Sequence, residues 1–294
     1  MQLLLSIIGS ENTKMNKNYI KNLIFVFSMN LSLFKYRIYE IINYLRKLSN
    51  LIIGNKVKIL SGLRISGKGK IIIGDNSIIQ KNVHLVVKDP KARILIGNNV
   101  KIEDEVQLIC SNSGEIHISN NVILGRGVKI VCNLNAKVFI LENAVFHQFS
   151  ELRTNTLIEI GSNSVIGKFS SISPREENGN GYFVCGKKCG VHEHNFLDTT
   201  EKIEFGDEVA TGPYDIFYTH DHSTKNGISI WEQPVKTSSI HIGGGSWIGS
   251  QVIILPGVSL GIGSVIGAGA VVTKSFDDYQ IIGGIPAKLL KVRE

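Results

Sequence analysis

From residue 53 onward the apolar positions return every sixth residue. One hexad carries them: an aliphatic residue, often a glycine, two polar residues, a small or β-branched residue, and a free position. Examples are "IGNKVK" at 53, "IGDNSI" at 73, "IGNNVK" at 96, "ISNNVI" at 118, "IGSNSV" at 160, "FGDEVA" at 205 and "IGGGSW" at 242. Between 248 and 271 the hexads run without a gap, as "IGSQVI", "ILPGVS", "LGIGSV" and "IGAGAV". Repeats of this kind mark stacked β-coils, in which one coil cannot bury its apolar edge but a stack can. Three hexads make about 18 residues per coil. The leading residues are Ile53, Ile73, Ile96, Ile118, Leu141, Ile160, Cys185 and Phe205, and about ten coils are expected. An antiparallel sandwich would instead show longer alternating strands and Asn-Gly hairpin signals, and neither dominates. The fold class read from the pattern is therefore all-β, a parallel β-helix over 53–294.

Two stretches break the rhythm. "SPREENGNGY" (173–182) is charged and glycine-rich and reads as a protruding loop; residues 223–241 begin just after a histidine pair. Loops on a rigid scaffold are where specificity sits, so the second insertion is expected to wall an acceptor pocket. Residues 1–52 lack the repeat. Their stretch 15–50 has apolar residues at mixed three- and four-residue spacing with interspersed lysines and arginines, a basic amphipathic helical extension.

Charge sharpens this division. The chain of 294 residues carries +7, and residues 1–50 hold seven Lys/Arg against Glu11 and Glu40, a net +5. The body is thus close to neutral, which argues against nucleic acid as a partner. The basic front end suits peripheral contact with a membrane face through residues 15–50. Its apolar run of about 13 residues is too short to span a bilayer, and the N-terminus lacks the basic start of a secretory signal, so a cytoplasmic location is expected. Four cysteines form no CxxC pair; Cys185 and Cys189 in "CGKKCG" fall on inward hexad positions and read as buried small residues.

The candidate chemistry lies in "FYTHDHS" (217–223). His220 and His222 sit two apart on one strand and so share a side, with Asp221 turned away and given no role. The pair reads as surface, as metal ligands together with His192 and His194, or as a base. Transfer of an acyl group to a hydroxyl needs a proton acceptor near neutral pH, which suits a neutral imidazole and is worth about 10²–10⁴-fold.

The hexads, the "FGDEV" (205–209) that ends 13 residues before His222, the following "SWIGS" (246–250) and the terminal "GGIPAK" (283–288) resemble the hexapeptide-repeat acyltransferases, closest to the sugar and polysaccharide O-acetyltransferases. The resemblance implies a left-handed β-helix, a homotrimer, and acetyl-CoA as co-substrate with no metal expected, since the histidine spacing of zinc-binding relatives is missing. It implies His222 as the general base, with His220 as the fallback. His192 stands where the family places an acceptor- or oxyanion-holding Asn, and an imidazole can also donate one hydrogen bond. The donor would lie along Trp247, Gly249, Ser250, Gly267 and Ala268, where small residues permit close approach of pantetheine. Thr273, Lys274, Lys288 and Lys291 would meet the coenzyme phosphates. The expected reaction is O-acetylation of a sugar hydroxyl of a surface polysaccharide or its precursor. An N-acetyltransferase of an amino sugar nucleotide and a non-catalytic binding scaffold are the alternatives.

Overall fold

The computed structural model describes residues 50–294 except 177 and 178. The expected helical extension, with its membrane-facing stretch, thus lies outside the described residues up to 49. The first described strand is Leu51–Ile53. Among the described residues no helix is long and apolar enough to cross a membrane.

Short parallel strands stack into three flat sheets, the faces of a three-sided solenoid. The first face has ten strands, Leu51–Ile53 through Ser259–Leu260; the third also has ten, Arg64–Gly67 through Val271–Val272. The second has twelve, Lys58–Ile59 through Lys288–Val292, of which the last pairs antiparallel with Gln280–Gly283. The ladder is in register: Ile53 pairs Ile73, Ile73 pairs Ile96, and Ile118 pairs Ile140, continuing through Ile160, Cys185 and Phe205 to Ile242. The leading residue of the fifth coil is Ile140 and not the expected Leu141, which occupies the turn position that other hexads give to glycine. Leading and fifth-position side chains point inward and form one continuous buried column. Each fully buried aliphatic side chain contributes about 1.5–3 kcal/mol.

The corners explain the polar half of the hexad. Its fourth residue is left-handed: Asn99, Asn121, Asn143 and Asn163 have φ of 56–60°. Asparagine tolerates this conformation, and the side chains join into a ladder, Asn99 to Asn121 at 3.2 Å and onward to Asn143 and Asn163 at 3.1 Å each. The second residue is glycine where coils approach most closely; a Cβ on Gly161 would stand 2.0 Å from the Gly186 carbonyl oxygen. On the edge between the second and third faces, the same left-handed position carries Phe149, Phe169, His194 and Tyr214. Their rings stack at 5.3, 5.1 and 4.7 Å.

Among the described residues, Asp215 is the one with a buried side-chain polar atom left without a partner. It is fully buried. Its Oδ1 accepts the Val252 N–H at 2.8 Å, but Oδ2 has no partner among the described residues. Burial pushes the carboxyl up to about 7, against the pull of the Val252 and Gly212 backbone. The folded chain therefore holds this proton more tightly than the unfolded chain. The associated stabilisation is complete below about pH 4 and is lost as pH rises through 7. Asp215→Asn should raise the melting temperature at pH 8, by up to about 4 kcal/mol of stability, and leave it nearly unchanged at about pH 3.5, where both states carry the proton. Equal shifts at both pH values in thermal melts would contradict this account.

Candidate active site

The insertion after the third-face strand Ile216–Phe217 is a hairpin, and the histidines are its first strand rather than residues preceding it. Strand His220–His222 pairs antiparallel with Val235–Thr237, His220 opposite Thr237 and His222 opposite Val235. Buried Gln233 closes the loop from inside, donating to the carbonyls of Lys225 (2.8 Å) and Ile228 (3.1 Å). The solenoid resumes in register beyond it, with Ile203 pairing Ile240. The two imidazoles share a side, ring centroids 5.8 Å apart. Asp221 between them is exposed and accepts the His222 N–H at 2.7 Å.

Their surroundings differ sharply. His220 is half-buried, and its Nδ1 lies 2.5 Å from Oδ2 of Asp198, a carboxylate with 0% exposure one coil away. Oδ1 of Asp198 accepts the Thr200 hydroxyl (2.6 Å) and N–H (3.0 Å), and Oδ2 accepts the Thr219 N–H (3.2 Å). Burial by itself would raise this carboxyl; hydrogen bonds from Thr200 and His220 outweigh it and hold the group below the ordinary carboxylate range. An ionised Asp198 can only accept, so His220 donates from Nδ1 and keeps its lone pair on Nε2. The His222 imidazole is exposed and makes no hydrogen bond among the described residues.

The described residues of the loop at 173–182 are tied to the coil at both ends. The N–H groups of Arg175 and Glu176 donate to Thr200 Oγ1 at 3.0 and 3.3 Å, Asn155 Nδ2 donates to the Gly179 carbonyl at 3.3 Å, and the Thr156 hydroxyl donates to that of Gly181. The Arg175 guanidinium lies 3.9 Å from the Phe196 ring centroid. Pinned this way, the loop closes one end of a polar groove of about 440 Å³ across the third face, lined by Asn133, Glu151, Arg153, Ser171, Arg175 and Glu176 among others. Glu151 is held between Lys129 (3.1 Å) and Arg153 (3.0 Å), and these bonds outweigh burial to keep its carboxyl low. Glu176 belongs both to this groove and to the histidines: one ligand atom each of Glu176, His220 and His222 lies within 4.8 Å of the other two. At the hairpin tip Trp231 is 95% exposed.

His192 is not brought to the histidine pair within one chain. It follows the second-face strand Gly190–Val191, on the edge between the second and third faces, whereas His220 lies on the edge between the third and first. His192 is exposed, and its N–H donates to Thr211 Oγ1 at 3.1 Å. Most expected donor residues share its edge. Trp247, 56% exposed, lies in a second-face strand, with Gly249 and Ser250 just beyond it and Gly267 and Ala268 one coil later. Gly249 is buried and serves packing, not close approach of a ligand: a Cβ there would stand 2.7 Å from the Ala268 nitrogen. Gly267 has room around it. Lys288 and Lys291 lie on the last strand opposite Gly283 and Ile281, and a register shift between Ile281 and Ile282 puts the two lysines on one face despite their odd spacing. Thr273 and Lys274 instead follow the third-face strand Val271–Val272, on the histidine edge.

Asp198 and Glu176 escaped sequence reasoning. Asp198 precedes His220 by 22 residues. It follows core Leu197 on the outward register of its strand, paired with Ser173, a position where a charged residue carries no signal in the sequence.

No protein-family model matches the chain. A Mycobacterium tuberculosis protein described as a probable acetyltransferase is 33% identical over 138 residues, 47% of this chain and 45% of its own length. A chloramphenicol acetyltransferase of Agrobacterium fabrum is 52% identical over 52 residues, 18% of this chain and 25% of the relative. The chain thus spans half or less of the length of these relatives. Among solved structures, a hexapeptide-repeat acetyltransferase of Vibrio cholerae complexed with acetyl coenzyme A is 27% identical, covers 45% of this chain and 69% of its own, and gives a TM-score of 0.41. By sequence the chain is related to acetyltransferases, and its coils are of the hexapeptide-repeat kind.

Proposed function

We propose that the protein is an acetyl-CoA-dependent O-acetyltransferase whose acceptor is a sugar hydroxyl of a surface polysaccharide or its precursor, with His220 as the general base. The observation that carries this reading is the His220–Asp198 pair, which Glu176 joins to a polar groove. Asp198 holds the tautomer whose Nε2 can take the acceptor's proton, and its charge stabilises the imidazolium that results. This moves the base from His222, chosen from spacing, to His220. His222 has an unheld ring, and a base that must first find its orientation loses the benefit of positioning.

Carbohydrate suits the groove. Its amides, hydroxyls and paired charges offer many donors and acceptors, and an exposed indole at Trp231 offers a ring face. The groove crosses neighbouring third-face strands about 4.8 Å apart, a length that favours a chain of sugars over a single one.

The donor's place follows from the second face. The bulge that aligns Lys288 and Lys291 presents two ammonium groups to a phosphate, and the room at Gly267 admits a narrow pantetheine arm. That edge and the His220 edge are different edges of one solenoid. The reading therefore requires a second copy: the donor edge of one chain faces the His220 edge of another, as in a closed oligomer such as a trimer.

Three outcomes test the proposal. In a thioester-cleavage assay with a sugar acceptor panel, His220→Ala should lose at least about 10²-fold in kcat, while His222→Ala stays within a few-fold; the reverse order would return the base to His222. The double change Lys288→Ala/Lys291→Ala should raise the coenzyme KM several-fold, most strongly at low salt; a salt-independent effect would remove the lysines from phosphate binding. Co-expressing the His220→Ala chain with the lysine double variant should give, at low acetyl-CoA, more turnover than the average of the two parents, because mixed oligomers rebuild intact sites. Mixed oligomers no more active than that average would sink the shared site.

A further inference from the structure

The groups around His220 form a second constellation. Glu176, His220 and His222 each place a ligand atom within 4.8 Å of the other two. They come from two separate insertions on one edge, and one buried carboxylate fixes both. Asp198 Oδ2 accepts from His220 Nδ1, and Asp198 Oδ1 accepts the Thr200 hydroxyl whose oxygen in turn accepts the Glu176 N–H at 3.3 Å. With Nδ1 engaged, Nε2 is the His220 nitrogen available to a metal, and a carboxylate behind a ligating imidazole is the usual outer partner of such a ligand. The His222 ring is exposed and unengaged, so it can turn.

Two imidazoles and one carboxylate form a borderline-soft set that favours zinc over magnesium or calcium and leaves a fourth position for water. Tetrahedral zinc with bonds of about 2.0–2.2 Å places its donors roughly 3.4 Å apart. The present separation then requires a closing of about 1 Å, which rotation of the exposed His222 side chain supplies without moving the solenoid.

We propose that Glu176, His220 and His222 form a zinc site. Its consequence rests on the reading of His220 as the base: zinc on Nε2 occupies the lone pair that proton abstraction needs, so the metal acts as a reversible inhibitor. Binding itself does not depend on that reading.

The test uses the full, tag-free chain, stripped of metal and titrated with zinc in competition with a chromophoric chelator. Wild type should take one equivalent per chain, and Glu176→Gln and His222→Ala should each weaken binding at least about tenfold, with melting curves unchanged in the absence of zinc. A wild-type chain that draws no zinc from the chelator, or two variants that bind as tightly as wild type, overturns the site. Thioester turnover in the same samples separates the two readings. Loss of turnover at one equivalent, reversed by chelator, supports the shared lone pair, and turnover that persists on the zinc-loaded chain overturns it. Absence of turnover in metal-free protein would end the base assignment while leaving the zinc titration to be judged alone.

Discussion

In-register stacking is the constraint from which everything else follows. Each inward side chain has the same hexad position above and below it, so a residue placed there must suit two neighbours as well as its own coil. Aliphatic residues meet that demand at every level from Leu51 to Ile282. A polar residue meets it only where the adjacent coil supplies partners, because an unpaired buried polar group costs about 1–3 kcal/mol. The corners are where such partners exist, since there the backbone turns and its N–H groups point across to the next level.

The two buried aspartates show how strictly the rule operates. Asp215 turns into the column, Asp198 follows core Leu197 on the outer side of its strand, and both are fully buried. Asp198 collects side-chain and backbone donors from Thr200, Thr219 and His220, and its carboxyl lies below the ordinary range. Asp215 collects far less and its carboxyl rises to about 7. The same buried chemical group is thus an obligate acceptor at one edge and a titratable group at another. Only the first can fix a histidine tautomer, and His220 is the histidine it reaches.

The repeat was legible because stacking imposes it residue by residue, and the coil number, inward cysteines and both interruptions could be read from it. Leu141 misled because apolar residues can also occupy a turn position; only pairing distinguished it from Ile140. The site was less legible for a related reason. Coils place residues about one turn apart in contact, so Asp198 and His220 meet while neither resembles the other's partner in sequence. The family resemblance implied His222, since a motif count along the chain cannot see which ring a buried carboxylate holds. The charged loop at 173–182 suggested projection into solvent, but Thr200, Asn155 and Thr156 tie its described residues to the coil. Residues before 50 lie outside this comparison.

Insertions cluster on the edge between the third and first faces, and the ladder explains how they are tolerated there. A corner excursion leaves the strands on either side free to pair, as Ile203 still pairs Ile240 and Phe205 still pairs Ile242 across the whole hairpin. The scaffold therefore loses little when this edge is elaborated, whereas a residue added within a face would reverse its inward pattern. Loop and hairpin can then vary independently while the coil beneath them holds Asp198, Thr200 and Thr219 in place. Proton abstraction and metal binding would compete for one nitrogen because both draw on that single buried anchor: the solenoid offers one oriented imidazole, and whatever the loops bring to it must share it.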